Sequence, residues 1–207
     1  MFLGKGTSFG HPWARFTMSA NDRFELPPDL PVPIDDGACA HLVGMEVPRA
    51  SLASTANRLV SLHDLPAERV VLYCYPRSGT PGSPVLKEWD LIPGARGCTP
   101  ETCSFRDHHA QLRSLGAETF GLSTQTTAYQ QEFVQRLQLP FEILSDADFV
   151  FTTALRLPTF EFNRMTLIKR LTLILERGRI TKVFYPIFPP DKHAAEVVRW
   201  LSITPPS

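Results

Sequence analysis

The chain has 207 residues, enough for one α/β domain with a substantial core. Hydrophobic residues make up 43% and charged residues 20%, close to the average for globular proteins, and 21 basic residues balance 21 acidic ones. This balance excludes the strongly basic surface that nucleic-acid binding requires. We also expect no membrane span, because no apolar run approaches ~20 residues, and no secretory signal, because the N-terminus lacks a continuous apolar stretch.

The first 43 residues differ in composition from the rest of the chain. Residues 25–36 read ELPPDLPVPIDD, and such a density of proline favours an extended path over helix or central strand. We therefore expect residues 1–43 to form an N-terminal extension, proline-rich and partly flexible. Residues 44–207 are expected to form a single domain.

The predicted elements of this domain alternate between strands and helices. Residues 70–75 (VVLYCY) form a near-continuous apolar run typical of a central parallel strand. Helices are predicted where apolar residues recur at helical spacing, and a hairpin where two apolar runs flank Arg177-Gly178. The pattern predicts an α/β fold with a central mixed sheet covered by helices on both faces. In chain order the predicted elements are strands 49–52, 58–62 and 70–75, helix 100–115, strand 119–122, helix 126–139, strand 141–144, helix 148–155, strands 170–176 and 180–185, and a final helix from residue 191.

The four cysteines are too few for a disulfide scaffold, which favours a reducing compartment, and we expect a cytoplasmic protein. Cys98 and Cys103 form the only close pair. Cys74 lies inside the predicted central strand and is most simply a core residue, whereas the role of Cys39 is open. The close pair is therefore the candidate for chemistry.

Cys98 lies where a predicted helix begins, beyond the carboxyl end of the central strand. Thr99 is a suitable N-cap and Pro100 suits the first helical position. Active sites of open α/β sheets form at this edge, and the N–H groups of a helix start favour a thiolate. The position thus suits a reactive cysteine.

A cysteine pair can also be structural or can bind zinc. Cysteine is often a small buried hydrophobic residue, which is the ordinary expectation for any cysteine pair. A zinc site would need four ligands, but the sequence has no second pair at ligand spacing, and the adjacent His108 and His109 point to different faces. The Gly-Cys-Thr-Pro context at a helix start favours the catalytic interpretation over both.

Residues 97–107 (GCTPETCSFRD) resemble the active-site segment of peroxiredoxins of the bacterioferritin-comigratory, or peroxiredoxin Q, subfamily. The resemblance continues through residues 120–124 (FGLST), 139–148 (LPFEILSDAD) and 170–180, and covers about residues 45–201. It implies a thioredoxin-like fold and a thiol peroxidase that reduces hydrogen peroxide or alkyl hydroperoxides. It also implies that Cys98 is the peroxidatic cysteine and Cys103 the resolving one, joined in an intramolecular disulfide during turnover.

Three further site residues follow from the resemblance. Pro76 and Thr80 match the family's Pro-x-x-x-Thr motif, which here is separated from Cys98 by an insertion at residues 83–97. Arg170 matches the arginine that stabilises the thiolate and the charge developing as the O–O bond breaks. Of the other arginines, Arg106 is expected to pair with Asp107 or a neighbouring loop. Arg96, beside Cys98 in the insertion, is expected to be a solvated loop cation in preference to a second electrostatic contributor.

The resemblance implies a hydroperoxide substrate, a thioredoxin-like reductant, and no metal, haem or nucleotide cofactor. We expect a monomer or homodimer without nucleic-acid or membrane partners. One alternative is a thiol-disulfide oxidoreductase on the same fold, which the Cys-x4-Cys spacing disfavours. Another is a non-enzymatic binding module that recognises a partner through the inserted loop.

Overall fold

The computed structural model describes residues 26–80 and 88–206. The remaining residues include most of the predicted N-terminal extension and the first part of the predicted insertion, so those expectations lie outside the described residues. The strands are β1 (Ser51–Ser54), β2 (Leu59–Ser61), β3 (Arg69–Cys74), β4 (Ala117–Ser123), β5 (Glu142–Ser145), β6 (Thr159–Phe162), β7 (Met165–Ile168), β8 (Leu171–Glu176) and β9 (Arg179–Phe184). The helices are α1 (Cys98–Ser114), α2 (Thr127–Leu137), α3 (Val150–Leu155) and α4 (His193–Ile203).

Seven strands form one mixed sheet in the order β2-β1-β5-β4-β3-β8-β9. The pairs β3–β4 and β4–β5 are parallel, as short βαβ units require, and the other pairs are antiparallel. The predicted α/β class and mixed sheet are confirmed. Strand β3 lies near the middle of the sheet, and all six of its residues are buried.

The side chains of β3 alternate between two apolar layers, because successive residues of a strand point to opposite faces. Val70, Leu72 and Cys74 pack in the layer that also contains α3, whereas Val71 and Tyr73 pack in the layer that contains α1, α2 and α4. Helices therefore cover both faces. Cys74 is a core residue, as predicted.

Part of the predicted extension packs against the domain. Leu42 is completely buried and Cys39 nearly so, in the same layer as Cys74. Asp36 accepts hydrogen bonds from Lys169 at 2.6 Å and from Tyr185 at 2.8 Å. Residues 36–42 are thus attached both to the core and to the segments that precede β8 and follow β9.

The antiparallel hairpin of β6 and β7 was not predicted from the sequence. Its register runs from Thr159 opposite Ile168 to Phe162 opposite Met165. The two residues of its turn, Asn163 and Arg164, both have positive φ angles, of 48° and 62°. Such turns usually carry a glycine, so the Asn-Arg sequence gives a weak signal.

Candidate active site

Cys98 is the first residue of α1, and its side chain is buried, with 4% of the residue exposed. The N-cap is Gly97, whose φ of 106° lies in the left-handed region that favours glycine. A Cβ atom at residue 97 would lie 2.3 Å from Cγ of Pro190, so no side chain fits. The expectation that Thr99 caps the helix is therefore wrong: the helix begins two residues earlier than predicted, because the glycine lets the chain turn tightly into it.

The fold brings Arg170 to Cys98. Arg170 directly precedes β8, and the register of β8 pairs Leu171 with Cys74 at the carboxyl end of β3. Arg170 Nη2 donates to Cys98 Sγ at 3.2 Å, and both side chains are buried. A permanent cation thus lies against the thiol at the start of a helix, where the backbone N–H groups also favour negative charge.

Backbone carbonyls hold the guanidinium in place. Arg170 Nε donates to the carbonyl oxygen of Gly94 at 3.1 Å. Arg170 Nη2 donates to the carbonyl oxygens of Ala95 at 3.1 Å and Arg96 at 3.2 Å. These three carbonyls belong to the last part of the predicted insertion. The end of the insertion therefore wraps around the cation that contacts Cys98.

Glu101 completes the environment of Arg170 and was not identified as a site residue from the sequence. Its Oε2 accepts a hydrogen bond from Arg170 Nη1, and its Oε1 is buried without a hydrogen-bond partner among the described residues. Burial raises the pKa of Glu101, although the interactions of its carboxyl group with Arg170 and His193 oppose this rise. Burial would lower the pKa of Arg170, but the nearby Glu101 and Cys98 outweigh it and raise the pKa. The guanidinium thus stays charged in a buried setting.

Cys103 lies on the same helix, five residues after Cys98, and is half-buried. Burial is the largest influence on its thiol and raises the pKa. Five residues of an α-helix separate two Cα atoms by roughly 8–9 Å, whereas a disulfide requires less than ~7 Å. Both cysteines are free thiols in this structure, and α1 in its present form holds them apart.

The structure does not bring Thr80 into hydrogen-bond contact with Cys98. Thr80 is exposed, and its hydroxyl forms a 2.7 Å hydrogen bond with the hydroxyl of Tyr129. Pro76 is buried directly after β3. The two residues of the Pro-x-x-x-Thr motif thus follow the strand in the expected order, with Thr80 at the surface.

The two other arginines considered from the sequence have local partners. Arg106 donates to Asp107 at 2.9 Å, as expected, and also to the carbonyl oxygen of Leu137. Arg96 forms an ion pair of 3.1 Å with Asp90 and is largely buried. The expectation of a solvated cation at residue 96 is therefore wrong, because the short 3-10 helix Trp89–Leu91 folds back and supplies a carboxylate.

The remaining cysteines lie in apolar surroundings. Burial raises the pKa of Cys39 to about 12 and that of Cys74 well above its ordinary value. Both thiols also lie in the apolar layer on the other side of the sheet from Cys98, so neither is a candidate for the reaction. Within residues 26–80 and 88–206, no group of three or more His, Cys, Asp or Glu side chains could hold a metal ion.

Comparisons with known proteins identify the family of the chain. A family model described as Redoxin matches residues 42–198. A protein of Coxiella burnetii named "Putative peroxiredoxin bcp" is 31% identical over 159 residues, which are 75% of this chain and 95% of that protein. "Peroxiredoxin Q, chloroplastic" of Oryza sativa subsp. japonica is also 31% identical over 159 residues, which are 76% of this chain and 65% of that protein.

The fold also matches solved structures. The crystal structure of peroxidoxin BcpB from Mycobacterium tuberculosis has a TM-score of 0.64 and 24% identity, and the match covers 79% of this chain and 99% of that one. Among the described residues, no helix is long and apolar enough to cross a membrane. The sheet and helices form a thioredoxin-like fold, as in these structures. The chain therefore belongs to the redoxin family and is a peroxiredoxin of the bacterioferritin-comigratory and Q type, that is, a thiol peroxidase.

Proposed function

We propose that Cys98 is the peroxidatic nucleophile of this thiol peroxidase and that Arg170 stabilises its thiolate. The observation that carries the proposal is the 3.2 Å contact between Arg170 Nη2 and Cys98 Sγ at the start of α1. Cys98 is the one cysteine among the four that combines a helix start with a contact to a cation. A preorganised charge in a buried site stabilises developing negative charge far better than water does.

The first step oxidises Cys98 by two electrons. The thiolate sulfur attacks the terminal oxygen of the hydroperoxide, an S–O bond forms and the O–O bond breaks. Cys98 becomes a sulfenic acid, and the departing oxygen takes a proton and leaves as water or an alcohol. Arg170 faces the sulfur throughout, so its charge can offset the negative charge that moves onto the departing oxygen.

Cys103 is proposed to resolve the sulfenic acid. Its thiol sulfur displaces the hydroxyl of the Cys98 sulfenic acid, which releases water and forms the Cys98–Cys103 disulfide. A dithiol protein such as thioredoxin then returns both residues to thiols and is itself oxidised. Because α1 holds the two cysteines apart, the first turns of the helix must open before the bond closes.

Thr80 and Pro76 have smaller proposed roles. Pro76 supplies the rigid turn that ends β3. Thr80 would orient the peroxide only after its segment moves inward from its bond with Tyr129. Thr80→Val should then lower the rate of Cys98 oxidation several-fold without changing stability, since the side chain is exposed. Wild-type kinetics would remove Thr80 from the mechanism.

The decisive experiment compares single cysteine variants. Cys98→Ser should abolish peroxide consumption, whereas Cys39→Ser and Cys74→Ser, the matched controls, should retain it. Cys103→Ser should consume one equivalent of peroxide and stall as a sulfenic acid, which mass spectrometry detects as the addition of one oxygen atom at Cys98. Near-normal turnover by Cys98→Ser would overturn the assignment.

Localisation and assembly are the remaining parts of the proposal. Four cysteines in a chain of this size are too few for a disulfide scaffold, which favours a reducing compartment, and we assign the cytoplasm. We assign a monomer or homodimer, because the reacting cysteines and Arg170 all belong to one chain. Light scattering of the reduced and the oxidised protein tests this assignment.

A further inference from the structure

The proline-rich segment of residues 26–36 packs against the loop that leads into α1. A Cβ atom on Gly97, the N-cap of that helix, would lie 3.0 Å from Cδ2 of Leu26. Three residues earlier in the loop, a Cβ atom on Gly94 would lie 3.7 Å from the side chain of Pro33. Closely packed segments transmit displacements to each other, so the proline-rich segment limits the movement of the loop.

The same loop holds the guanidinium of Arg170. The carbonyl oxygen of Gly94 accepts a hydrogen bond from Arg170 Nε at 3.1 Å. The carbonyl oxygens of Ala95 and Arg96 accept hydrogen bonds from Arg170 Nη2 at 3.1 Å and 3.2 Å. The Nη2 atom also donates to Cys98 Sγ at 3.2 Å. A displacement of the loop would therefore move the cation relative to the sulfur.

Asp36 fastens the end of the proline-rich segment beside Arg170. Its carboxylate accepts a hydrogen bond from Lys169 Nζ at 2.6 Å and another from the Tyr185 hydroxyl at 2.8 Å. Lys169 directly precedes Arg170 in the chain. The hydrogen bonds from Lys169 and Tyr185 keep the pKa of Asp36 well below its usual range, so the carboxylate stays charged at neutral pH. The segment is thus tied to the stretch of backbone that carries the arginine.

The ion pair of Asp36 is at the surface, which separates its effect on the site from an effect on folding. The side chain of Asp36 is 46% exposed and that of Lys169 is 34% exposed. Exposed ion pairs contribute little to the free energy of unfolding. The buried residues Cys39 and Leu42, which follow in the chain, remain in the core without this pair. A substitution at Asp36 should therefore leave the domain folded.

From these contacts we infer that Asp36 is a positioning residue for the peroxidase reaction, because the segment that it fastens holds the Arg170 guanidinium against the Cys98 sulfur. The inference rests on the proposed function of Cys98 and Arg170. Residues 26–36 precede residue 42, where the match to the Redoxin family model begins. Part of the support of the arginine is thus supplied by chain outside the matched domain.

The test is the rate at which hydrogen peroxide oxidises Cys98 in Asp36→Ala. A misplacement of about 1 Å can cost ~10²-fold in rate, and because the carbonyl contacts of Arg170 remain in the variant, we expect a loss of about tenfold. The pH profile of Cys98 alkylation should move to higher pH, since the cation stabilises the thiolate less well. Tyr185→Phe removes one of the two donors to Asp36 and should cause a smaller change in the same direction.

Asp64→Ala is the matched control. Asp64 is also an exposed aspartate, and it accepts a hydrogen bond from Arg49 at 3.2 Å. Its partners Arg49, Ser61 and His63 do not contact Arg170. Asp64→Ala should therefore leave both the oxidation rate and the alkylation profile unchanged. An equal loss in Asp36→Ala and Asp64→Ala would overturn the inference.

A double-mutant cycle with Arg170→Met shows whether Asp36 acts through Arg170. Two residues that act through one group have effects that are not additive, so Asp36→Ala should cause no further loss when Arg170 is absent. A merely structural role of Asp36 would lower the rate by the same factor in both backgrounds, and this result would overturn the inference.

The outcomes also separate this inference from the proposed function. If Arg170→Met slows oxidation of Cys98 and Asp36→Ala changes neither the rate nor the pH profile, the inference is wrong and the role of Arg170 stands. If Arg170→Met itself has no effect, the role of Arg170 and the inference are both wrong. A slower rate and a shifted profile in Asp36→Ala, both absent from Asp64→Ala and from the Arg170→Met background, support the inference.

Discussion

Two buried arginine–glutamate pairs lie at opposite ends of the central strand β3. Arg170 pairs with Glu101 near the carboxyl end of β3, and Arg69, the first residue of β3, pairs with Glu176 at 3.0 Å. All four side chains are buried. Both arginines also donate to backbone carbonyls, and those of Arg69 belong to the end of the chain, at Leu201 and Thr204.

The pairs differ in what else the guanidinium contacts. Arg170 contacts the Cys98 sulfur, whereas the described contacts of Arg69 are a carboxylate and carbonyl oxygens. Arg69 thereby joins β3 to the end of α4. A buried arginine–glutamate pair therefore occurs both where it joins two structural elements and where it lies beside the Cys98 thiol. The difference lies in the thiol and in its position, because Cys98 is the first residue of α1 and lies beyond the carboxyl end of β3.

Removing the cation from each pair is the strongest test of this comparison. Arg170→Met should slow oxidation of Cys98 by ~10²–10³, the usual effect of losing one preorganised donor. The pH profile of Cys98 alkylation should move to higher pH, because the thiolate loses its cation. Both are measured on the folded fraction, and Arg69→Met should leave both unchanged. An unaltered profile in Arg170→Met would transfer the role to backbone N–H groups alone.

Arg69→Met should instead act on stability. The substitution removes a buried cation that pairs with Glu176 and donates to the carbonyl oxygens of Leu201 and Thr204, and breaking a buried ion pair typically costs about 3–5 kcal/mol. Urea unfolding followed by circular dichroism measures this loss. Arg49→Met is the control, because Arg49 forms an exposed ion pair with Asp64, and such pairs contribute only about 0–1 kcal/mol. Equal effects of the two substitutions would contradict a structural role for Arg69.

Oxidation of the cysteines should disturb one pair and spare the other. The disulfide between Cys98 and Cys103 requires the first turns of α1 to open, and Glu101 lies within them. Phe105 and Leu112 are completely buried and should anchor the rest of the helix.

Hydrogen exchange of reduced and oxidised protein measures this opening. We expect amide exchange across residues 101–106 to become at least about tenfold faster in the disulfide form. Little change is expected beyond Leu112 or in β3 at Arg69. Uniform acceleration in both regions would mean that oxidation loosens the whole domain.

The sequence was sufficient to predict the parts of the site that are local in the chain. Cys98 at a helix start follows from its glycine, threonine and proline neighbours, and every strand of the central sheet overlaps a predicted strand. Arg170 came from the family resemblance, since an arginine before a strand is ordinarily a solvated charge. The hairpin of β6 and β7 gave too weak a signal, because its turn lacks glycine.

The parts that could not be predicted depend on contacts between distant segments. A negatively charged residue is favoured near the start of any helix, which already accounts for a glutamate at position 101. Nothing in the sequence therefore indicates the hydrogen bond that Glu101 accepts from Arg170, 69 residues away. Arg69 directly precedes an apolar run and gives no sign of its burial. Residues 32–34 belong to a proline-rich stretch that is attached to the domain where Asp36 accepts hydrogen bonds from Lys169 and Tyr185.

The smallest expected effect concerns the acidic partners, tested by Glu101→Gln and its matched control Glu176→Gln. Glutamine keeps an acceptor that positions Arg170, so the rate of Cys98 oxidation should change by about tenfold or less, while Glu176→Gln leaves it unchanged. Stability should also respond to pH. Burial raises the pKa of Glu101 in the folded protein. Its contribution to the free energy of unfolding is therefore complete below the carboxyl pKa of the unfolded chain, about 4.5, and is lost as pH rises through the pKa of the folded protein. The glutamine of Glu101→Gln cannot titrate. The free energy of unfolding of the variant should therefore increase relative to that of the wild type as pH rises above about 4.5. A difference in unfolding free energy that stays constant with pH would show that Glu101 has the same proton affinity in both states.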